Sequence, residues 1–223
     1  MNHRFQAIVF DLDGTLIDTA PDLTAALNHV LTASGRPALP ASEVRSMIGD
    51  GVVALLRRGL AAAGPPVDDA SFAAMHRQYL DYYSAHIADR STPFVGVGPV
   101  LVKFRDEGRK LGICTNKPIA LTQSLLRTME LTEFFPVVLG GDSLAVKKPD
   151  PEHLNAVLKR LGVPPERAAM IGDSRNDAAT ARAAGVACVL VSFGYTAVPA
   201  RELGAEAVID DFRDLPRALE RLS

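Results

Sequence analysis

The stretch AIVFDLDGTLID (residues 7–18) joins four apolar residues to a pair of closely spaced carboxylates. The apolar run AIVF is typical of a strand buried within a parallel sheet. Asp11 and Asp13 come directly after that strand, where two like charges one residue apart repel each other. A helix cap or an Asx turn needs only one carboxylate, so the pair indicates a chemical role.

Short apolar runs alternate with amphipathic stretches along most of the remaining chain. The apolar runs predict strands at residues 7–10, 110–115, 136–141, 168–173, 187–194 and 205–210. The amphipathic stretches predict helices at about 97–108, 118–130, 151–161, 175–184 and 212–222. This alternation favours an α/β fold, a doubly wound, Rossmann-like parallel sheet that binds ligands at the carboxyl ends of its strands.

The segment from about residue 20 to residue 92 interrupts this alternation. It contains helical patterns, such as those beginning at residues 21, 51 and 70, and no convincing strand. We therefore predict an α/β core formed by residues 1–18 and 95–223, with an all-helical cap subdomain, residues 19–94, inserted after the first strand. The chain would cross between the two near residues 18–21 and 95–99, and we expect these crossings to act as hinges.

Composition excludes several classes of function for this 223-residue chain. With 24 basic and 26 acidic residues, a net charge of −2 and no basic block, we expect no nucleic-acid or anionic-membrane surface. No apolar run is long enough to predict a signal peptide or a membrane span. Cys114 and Cys188 lie within apolar runs and are interpreted as core thiols, consistent with a cytoplasmic location. The sequence is compatible with a monomer or a homodimer.

Polar residues follow the predicted strands at the points where these strands end. Because parallel strands bring their carboxyl ends to one edge of a sheet, these residues should converge on one crevice. A cluster of mutually repelling carboxylates requires a cation, and hard oxygen ligands favour Mg²⁺. The residues concerned are Asp11, Asp13, Thr115, Asn116, Lys147, Lys148, Asp173 and Asp177.

Four motifs in this order closely resemble those of the haloacid dehalogenase superfamily of phosphotransferases. They are FDLDGT (10–15), CTN (114–116), KKPDP (147–151) and GDSRND (172–177). The helical insertion between the first two motifs resembles the cap domain found in one class of that superfamily. The resemblance implies an enzyme acting on a small-molecule phosphate ester.

The same resemblance implies catalytic roles for the strand-end residues. Asp11 would be the nucleophile that attacks phosphorus and forms an aspartyl-phosphate. Asp13 would protonate the leaving alkoxide and then activate the hydrolytic water. Thr115, with Asn116 beside it, would hold the phosphoryl oxygens. Lys148, chosen over Lys147 because it immediately precedes the proline of the motif, would offset negative charge.

The resemblance also implies a metal site. Mg²⁺ would be held by Asp11, by the main-chain carbonyl of Asp13 and by Asp173. The sequence leaves two roles open for Asp177, which either contributes to the metal site or caps the helix that follows it.

Asp13 reduces the number of possible reactions. The dehalogenases and ion pumps of the superfamily lack an acidic residue at the position two after the nucleophile, so the resemblance leaves phosphatases and phosphomutases as the candidate classes. Longer stretches, including DTAPDLTAALNHVL and GGDSLAVKKPDPEHL, resemble the family of bacterial phosphoglycolate phosphatases over nearly the whole chain. That resemblance implies hydrolysis of 2-phosphoglycolate. A sibling phosphatase for pyrophosphate, a sugar phosphate or a nucleotide, and a β-phosphoglucomutase-like isomerase, are the alternatives.

A substrate with a carboxylate requires a cation in the helical insertion or beside it. Arg45 is the first candidate, because a guanidinium pairs with a carboxylate through two hydrogen bonds. The alternatives are Arg57, Arg58 and Lys117, and Arg45 is equally compatible with a solvated helix position. Asp50 stands where related loops often carry asparagine, and we expect its charge to point away from an anionic substrate.

Overall fold

The computed structural model describes residues 4–222 and confirms the predicted fold class. Within that range, six parallel strands form one sheet: β1 Ala7–Phe10, β4 Lys110–Cys114, β5 Val137–Leu139, β6 Ala168–Gly172, β7 Ala187–Val191 and β8 Ala207–Ile209. Their order across the sheet is β5-β4-β1-β6-β7-β8, so β1 lies between β4 and β6.

Helices cover both faces of this sheet. Ile8 and Phe10 of β1 lie in one hydrophobic cluster, whereas Ala7 and Val9 lie in a second cluster. Alternate residues of a strand point to opposite faces, so each cluster marks one buried face of the sheet. The flanking helices are α5 Val97–Asp106, α6 Ile119–Thr128, α7 Pro151–Leu161, α8 Arg175–Ala184 and α9 Leu215–Arg221.

The segment predicted to be helical contains four helices in the structure. These are α1 Ala20–Ala33, α2 Ala41–Arg45, α3 Val52–Ala62 and α4 Asp69–Ala85, and α1 packs against the other three. The short helix α2 lies partly in the stretch GRPALPAS, which its prolines and glycine mark as turn-rich. The role of this segment as a mobile cap stays a prediction.

The two chain crossings lie side by side, which the sequence does not predict. Strand β2, Ile17–Asp18, pairs in antiparallel fashion with β3, Thr92–Pro93. Two-residue strands are too short for a periodic pattern, so no sequence signal marks them. The pairing places the entry to and the exit from the helical segment against each other.

Several element ends differ from the predicted ones for local reasons. The strand expected at 187–194 ends at Val191, and the C-terminal helix begins only at Leu215. Residues Phe212–Asp214 form a 3₁₀ turn instead, because the Asp211 side chain accepts a hydrogen bond from the amide of Arg213. Cys114 and Cys188 are buried free thiols, as expected. No helix among residues 4–222 is long and apolar enough to cross a membrane.

Candidate active site

The strand-end residues converge because the central strands run in register. Phe10 is paired with Ile113 on one side and with Ile171 on the other. The amide of Asp11 continues the ladder by donating to the carbonyl oxygen of Ile171 at 2.9 Å. Three side chains, those of Asp11, Thr115 and Asp173, therefore lie together at the carboxyl edge of the sheet. They follow the central strands β1, β4 and β6, where the direction of strand order reverses.

Lys148 lies in the middle of this group, with only 2 % of its surface exposed. Its Nζ lies 3.0 Å from Oδ1 of Asp11 and 2.6 Å from Oδ1 of Asp177. Burial disfavours the charged lysine, but the two carboxylates outweigh it and raise the pKa of Lys148. Lys147 instead donates to the carbonyl oxygen of Asp50 on the exposed side of the loop. Of the two lysines, Lys148 alone lies against the nucleophile candidate.

Asp11, Asp173 and Asp177 form a buried acidic cluster that fits a divalent cation. One carboxylate oxygen from each lies within 4.8 Å of the others. Burial raises the pKa of Asp11 to about 6, although Lys148 opposes the shift, and burial together with its acidic neighbours raises the pKa of Asp173 well above its usual value. One lysine cannot neutralise three carboxylates. The oxygen donors and the excess negative charge are those that Mg²⁺ requires.

Asp177 caps the helix that follows it and also contacts the lysine of the site, while its role toward a metal stays a prediction. Its Oδ2 accepts a hydrogen bond from the amide of Ser174, and its own amide donates to the Ser174 hydroxyl, which together form a capping box at the start of α8. The Ser174 hydroxyl also donates to the same Oδ2. Its Oδ1 accepts the hydrogen bond from Lys148. A single carboxylate therefore fixes both the helix end and the lysine of the site.

Asp13 is held by contacts distinct from those of Asp11. Its carboxylate accepts a hydrogen bond from the Thr19 hydroxyl at 2.7 Å, and Nζ of Lys117 lies 3.1 and 3.3 Å from its two oxygens. Nζ of Lys117 also donates to the Tyr83 hydroxyl at 2.6 Å. The sequence offers Lys117 only as an alternative substrate ligand and gives no signal for Tyr83, whose ring lies on the packed face of α4.

A cavity of about 30 Å³ separates the sheet edge from the helical segment. Asp11, Asp13, Thr115, Asn116 and Lys117 line it from the sheet side, and Ile48, Val52 and Leu55 are among the residues that line it from the other side. Nδ2 of Asn116 donates to the carbonyl oxygens of Gly49 and Lys148, so it joins the loop above the cavity to the loop below it. The space can hold about two water molecules.

The structure does not bring Arg45 into this cavity. Its guanidinium lies 4.6 Å from the ring centroid of Tyr195, donates to the carbonyl oxygen of Phe193 at 3.1 Å, and is 3.5 Å from Asp18. These contacts place Arg45 beside the first chain crossing and outside the lining of the cavity, so its role as a substrate ligand stays a prediction.

The other two arginines also lie outside the lining of the cavity. Arg57 stacks on the ring of Phe72, and Arg58 pairs with Asp50. Asp50 accepts a further hydrogen bond from Asn176 and therefore points away from the cavity, as expected. Partial burial would raise the pKa of Asp50, but its contacts with Asn176 and Arg58 lower it overall.

The fold and the site together define an α/β enzyme with a buried cluster of carboxylates and a buried lysine at the carboxyl edge of its sheet. An aspartate follows the central strand, a buried lysine and two further carboxylates surround it, and a helical insertion covers it. The chain belongs to the haloacid dehalogenase-like hydrolases, because the model of that family matches residues 8–191. It is a phosphatase of that family, as its relatives indicate.

Curated relatives match the chain over nearly its full length. A phosphoglycolate phosphatase from Caulobacter vibrioides is 50 % identical over 95 % of this chain and 89 % of the relative. A phosphoglycolate phosphatase from Mesorhizobium japonicum is 42 % identical over 96 % and 95 % of the two chains. These similarities extend through the helical segment.

Solved structures of similar proteins superpose on this chain over both the core and the helical segment. A predicted phosphoglycolate phosphatase from Haemophilus somnus superposes with a TM-score of 0.93 at 30 % identity, covering 96 % of this chain and 97 % of the other. CbbY from Rhodobacter sphaeroides, solved in complex with phosphate, has a TM-score of 0.80 at 27 % identity over 97 % and 99 % of the two chains.

Proposed function

We propose that the chain hydrolyses 2-phosphoglycolate to glycolate and inorganic phosphate through an aspartyl-phosphate on Asp11, with Mg²⁺ as cofactor. The observation that carries the chemistry is the position of Asp11, buried at the sheet edge with Nζ of Lys148 3.0 Å away. The names of the curated relatives support the choice of substrate.

Electrostatics explains why Asp11 needs its neighbours. A carboxylate about 4 Å from a dianionic phosphate, at an effective dielectric constant near 20, is repelled by roughly 8 kcal/mol. Left uncompensated, that repulsion would slow attack by about six orders of magnitude. Lys148 offsets part of it, and Mg²⁺, held by Asp11, Asp173 and the carbonyl oxygen of Asp13, would neutralise further charge on the phosphoryl oxygens.

The protein groups then complete two displacement steps. Asp11 attacks phosphorus, and Asp13 gives a proton to the departing oxygen of glycolate. Asp13 then takes a proton from water, which attacks the phosphorus of the aspartyl-phosphate and releases phosphate and free Asp11. The Thr115 hydroxyl and the amides beside it bind phosphoryl oxygens in both steps, and Asp177 keeps Lys148 in place.

The size of the cavity does not select the leaving group. Its space of about 30 Å³ holds about two water molecules, so the helical segment has to move before any phosphate ester, 2-phosphoglycolate included, can enter. The structure of a CbbY variant solved with xylulose-1,5-bisphosphate, at 26 % identity, shows that a related fold accepts a larger ester, so sugar phosphates belong in the test.

The test is release of inorganic phosphate from a panel of esters with Mg²⁺ present. The panel contains 2-phosphoglycolate, pyrophosphate, β-glucose-1-phosphate and several sugar and nucleotide monophosphates. We expect 2-phosphoglycolate to have the highest kcat/KM by orders of magnitude. Asp11→Asn should be inactive, whereas Asp106→Asn, the same change at an exposed site, should retain full activity.

The outcomes separate the chemistry from the substrate. Activity that survives in Asp11→Asn overturns the nucleophile assignment. A different leading ester leaves the chemistry intact and overturns the substrate. Conversion of β-glucose-1-phosphate to glucose-6-phosphate with little phosphate release would identify a mutase instead.

A further inference from the structure

We infer that Lys117 selects phosphate esters that carry a carboxylate beside the ester-bearing carbon, and that Tyr83 fixes its ammonium group for this purpose. The inference rests on the proposed function and assigns its substrate selectivity to one core residue, outside the helical segment. It concerns the leaving group only, whereas Thr115 and Lys148 serve the phosphoryl group.

The cavity supplies the first argument. Among the described side chains that line it, Lys117 is the one cation, and the remaining charged groups are Asp11 and Asp13. Without Lys117, the only charged groups lining the cavity for an anionic leaving group would be carboxylates, at a cost of several kcal/mol for each close pair. Arg45, Arg57 and Arg58 make their contacts elsewhere.

The geometry of the ammonium group supplies the second argument. An ammonium group has three N–H donors. Nζ of Lys117 donates to both carboxylate oxygens of Asp13, at 3.1 and 3.3 Å, and to the hydroxyl of Tyr83 at 2.6 Å. Because the two longer bonds go to one carboxylate, one of these donors can turn to a ligand carboxylate while the other keeps Asp13. Lys117 is 4 % exposed, so this donor is shielded from bulk water, where a charge-assisted bond is strongest.

Tyr83, which belongs to the helical segment, holds the ammonium group of Lys117. Burial, with the charges of Asp13 and Asp22 adding to it, keeps the pKa of Tyr83 well above its ordinary value of 10, so the hydroxyl stays neutral and accepts from Lys117. Because Tyr83 lies on α4 and Lys117 follows β4, the bond forms only when the helical segment lies over the core. The selecting cation is thus assembled together with the enclosed cavity.

Lys117 has an alternative role, in which it only positions Asp13. The two roles predict different substrate dependence. If Lys117 only positions Asp13, its loss affects every ester, because Asp13 acts on all of them. If Lys117 binds the substrate carboxylate, its loss affects mainly the esters that carry one. Monoethyl phosphate keeps the two-carbon ester of 2-phosphoglycolate and carries a methyl group in place of the carboxylate. The ratio of kcat/KM for 2-phosphoglycolate to that for monoethyl phosphate therefore isolates the interaction with the carboxylate.

The experiment measures this ratio in the full chain and in three variants. Lys117→Met keeps the aliphatic stem and removes the charge, and we expect the ratio to fall about 10- to 100-fold. Tyr83→Phe removes only the acceptor that fixes the ammonium group, so the ratio should fall less and in the same direction. Arg57→Met removes a cation from the helical segment outside the cavity and should leave the ratio unchanged.

Each outcome bears on a specific claim. If the wild-type enzyme does not favour 2-phosphoglycolate over monoethyl phosphate, the proposed function fails, and there is no carboxylate selectivity for Lys117 to explain. If the wild type favours 2-phosphoglycolate but Lys117→Met lowers kcat/KM equally for both substrates, Lys117 only positions Asp13 and the inference is wrong. Should Lys117→Met fail to fold, as judged by circular dichroism, an unchanged ratio in Tyr83→Phe would overturn the inference by itself.

Discussion

Asp50 accepts a hydrogen bond from Nδ2 of Asn176 at 2.6 Å, which fastens the loop of residues 49–51 to the first turn of α8. Arg58 on α3 pairs with the other oxygen of the same carboxylate. Asn176 directly precedes Asp177, whose carboxylate holds Lys148. The loop that covers the cavity is therefore linked to the acidic cluster through two consecutive residues.

This link predicts that Asp50→Ala weakens substrate binding. Without the carboxylate the loop keeps only the longer hydrogen bond, 3.3 Å, from Asn176 to the carbonyl oxygen of Gly49. The closed arrangement therefore becomes less favourable by the value of a charge-assisted hydrogen bond, about 1.5–3 kcal/mol. We expect KM to rise at least tenfold, with a smaller change in kcat, in steady-state assays. Asp50→Asn keeps an oxygen acceptor for Asn176 and is the matched control. Equal KM values for the alanine variant and the wild type would contradict the link.

Tyr195 joins the acidic cluster to the first chain crossing. Its hydroxyl accepts hydrogen bonds from the amides of Thr19 and Ala20 and donates to Asp18, while its own amide donates to Asp173 at 2.6 Å. In Tyr195→Phe two buried amides lose their acceptor, so we expect the free energy of unfolding to fall by about 2–4 kcal/mol in urea titrations.

The main-chain bond to Asp173 provides the internal control for this variant. Phenylalanine keeps that amide, so the affinity for Mg²⁺ measured by calorimetry should stay within about twofold of the wild-type value. A large loss of metal affinity would show that the hydroxyl, and not the amide, positions Asp173.

Asp22 joins the two crossings to each other. Its buried carboxylate accepts hydrogen bonds from the amides of Arg90 and Ser91 and from the Ser91 hydroxyl. Asp22→Ala leaves two amides without an acceptor and should reduce the free energy of unfolding by about 2–4 kcal/mol. Ser91→Ala removes one hydroxyl donor and should cost about 1 kcal/mol. If both variants lose equal stability in urea titrations, the amide contacts contribute nothing.

The contacts of Asp22, Asp50 and Tyr195 show where sequence reasoning stops. The strands and Asp11, Asp13 and Asp173 were predictable because apolar periodicity and strand-end polarity are local signals. Tyr195 and Asp18 are far apart in sequence yet share a hydrogen bond, and no local pattern encodes that contact. The same holds for the pairing of Lys117 with Tyr83.

The position of Arg45 shows the same limit of local patterns. Its charge and planar guanidinium, which make it a candidate ligand for a carboxylate, are properties of the residue type and not of its position in the fold. The structure gives it an aromatic face and a carbonyl oxygen beside the crossing, which satisfy a guanidinium equally well. Lys117, the cation in the cavity, follows strand β4, as the other polar residues at the sheet edge follow their strands, so strand-end position is the sequence signal that points to it.

His153 predicts a dependence of stability on pH. Its Nε2 faces the carbonyl oxygen of Gly140, and burial, together with the charge of Lys148, lowers its pKa to about 4, against the opposing effects of Gly140 and Asp150. The unfolded chain, with a histidine pKa near 6.5, binds the proton more tightly. Stability is therefore fully present above pH 6.5 and declines as the pH falls toward 4.

The measurement is the free energy of unfolding at pH 7 and at pH 4.5, compared between wild type and His153→Gln. We expect the wild type to lose roughly 2 kcal/mol more than the variant over this interval. His29→Gln, at an exposed position, is the control and should follow the wild type. Parallel losses in all three proteins would show that His153 is protonated equally in the folded and unfolded states.

Removal of Mg²⁺ should expose the repulsion within the acidic cluster. Asp11, Asp173 and Asp177 face one another with Lys148 as their cation, so the metal-free protein carries excess negative charge in a buried site. Metal bound only by the folded state adds stability that grows with its free concentration. We expect millimolar Mg²⁺ to raise the wild-type melting temperature by several degrees and EDTA to reverse the rise.

Asp173→Asn tests the electrostatic origin of that effect. The amide removes one of the three repelling charges, so the variant in EDTA should melt higher than the wild type in EDTA, while its response to Mg²⁺ should largely disappear. This crossed pattern distinguishes charge repulsion from a general effect of the substitution, because a merely disruptive change lowers the melting temperature in both conditions. A variant that melts lower in EDTA and still responds fully to Mg²⁺ would place the metal away from Asp173.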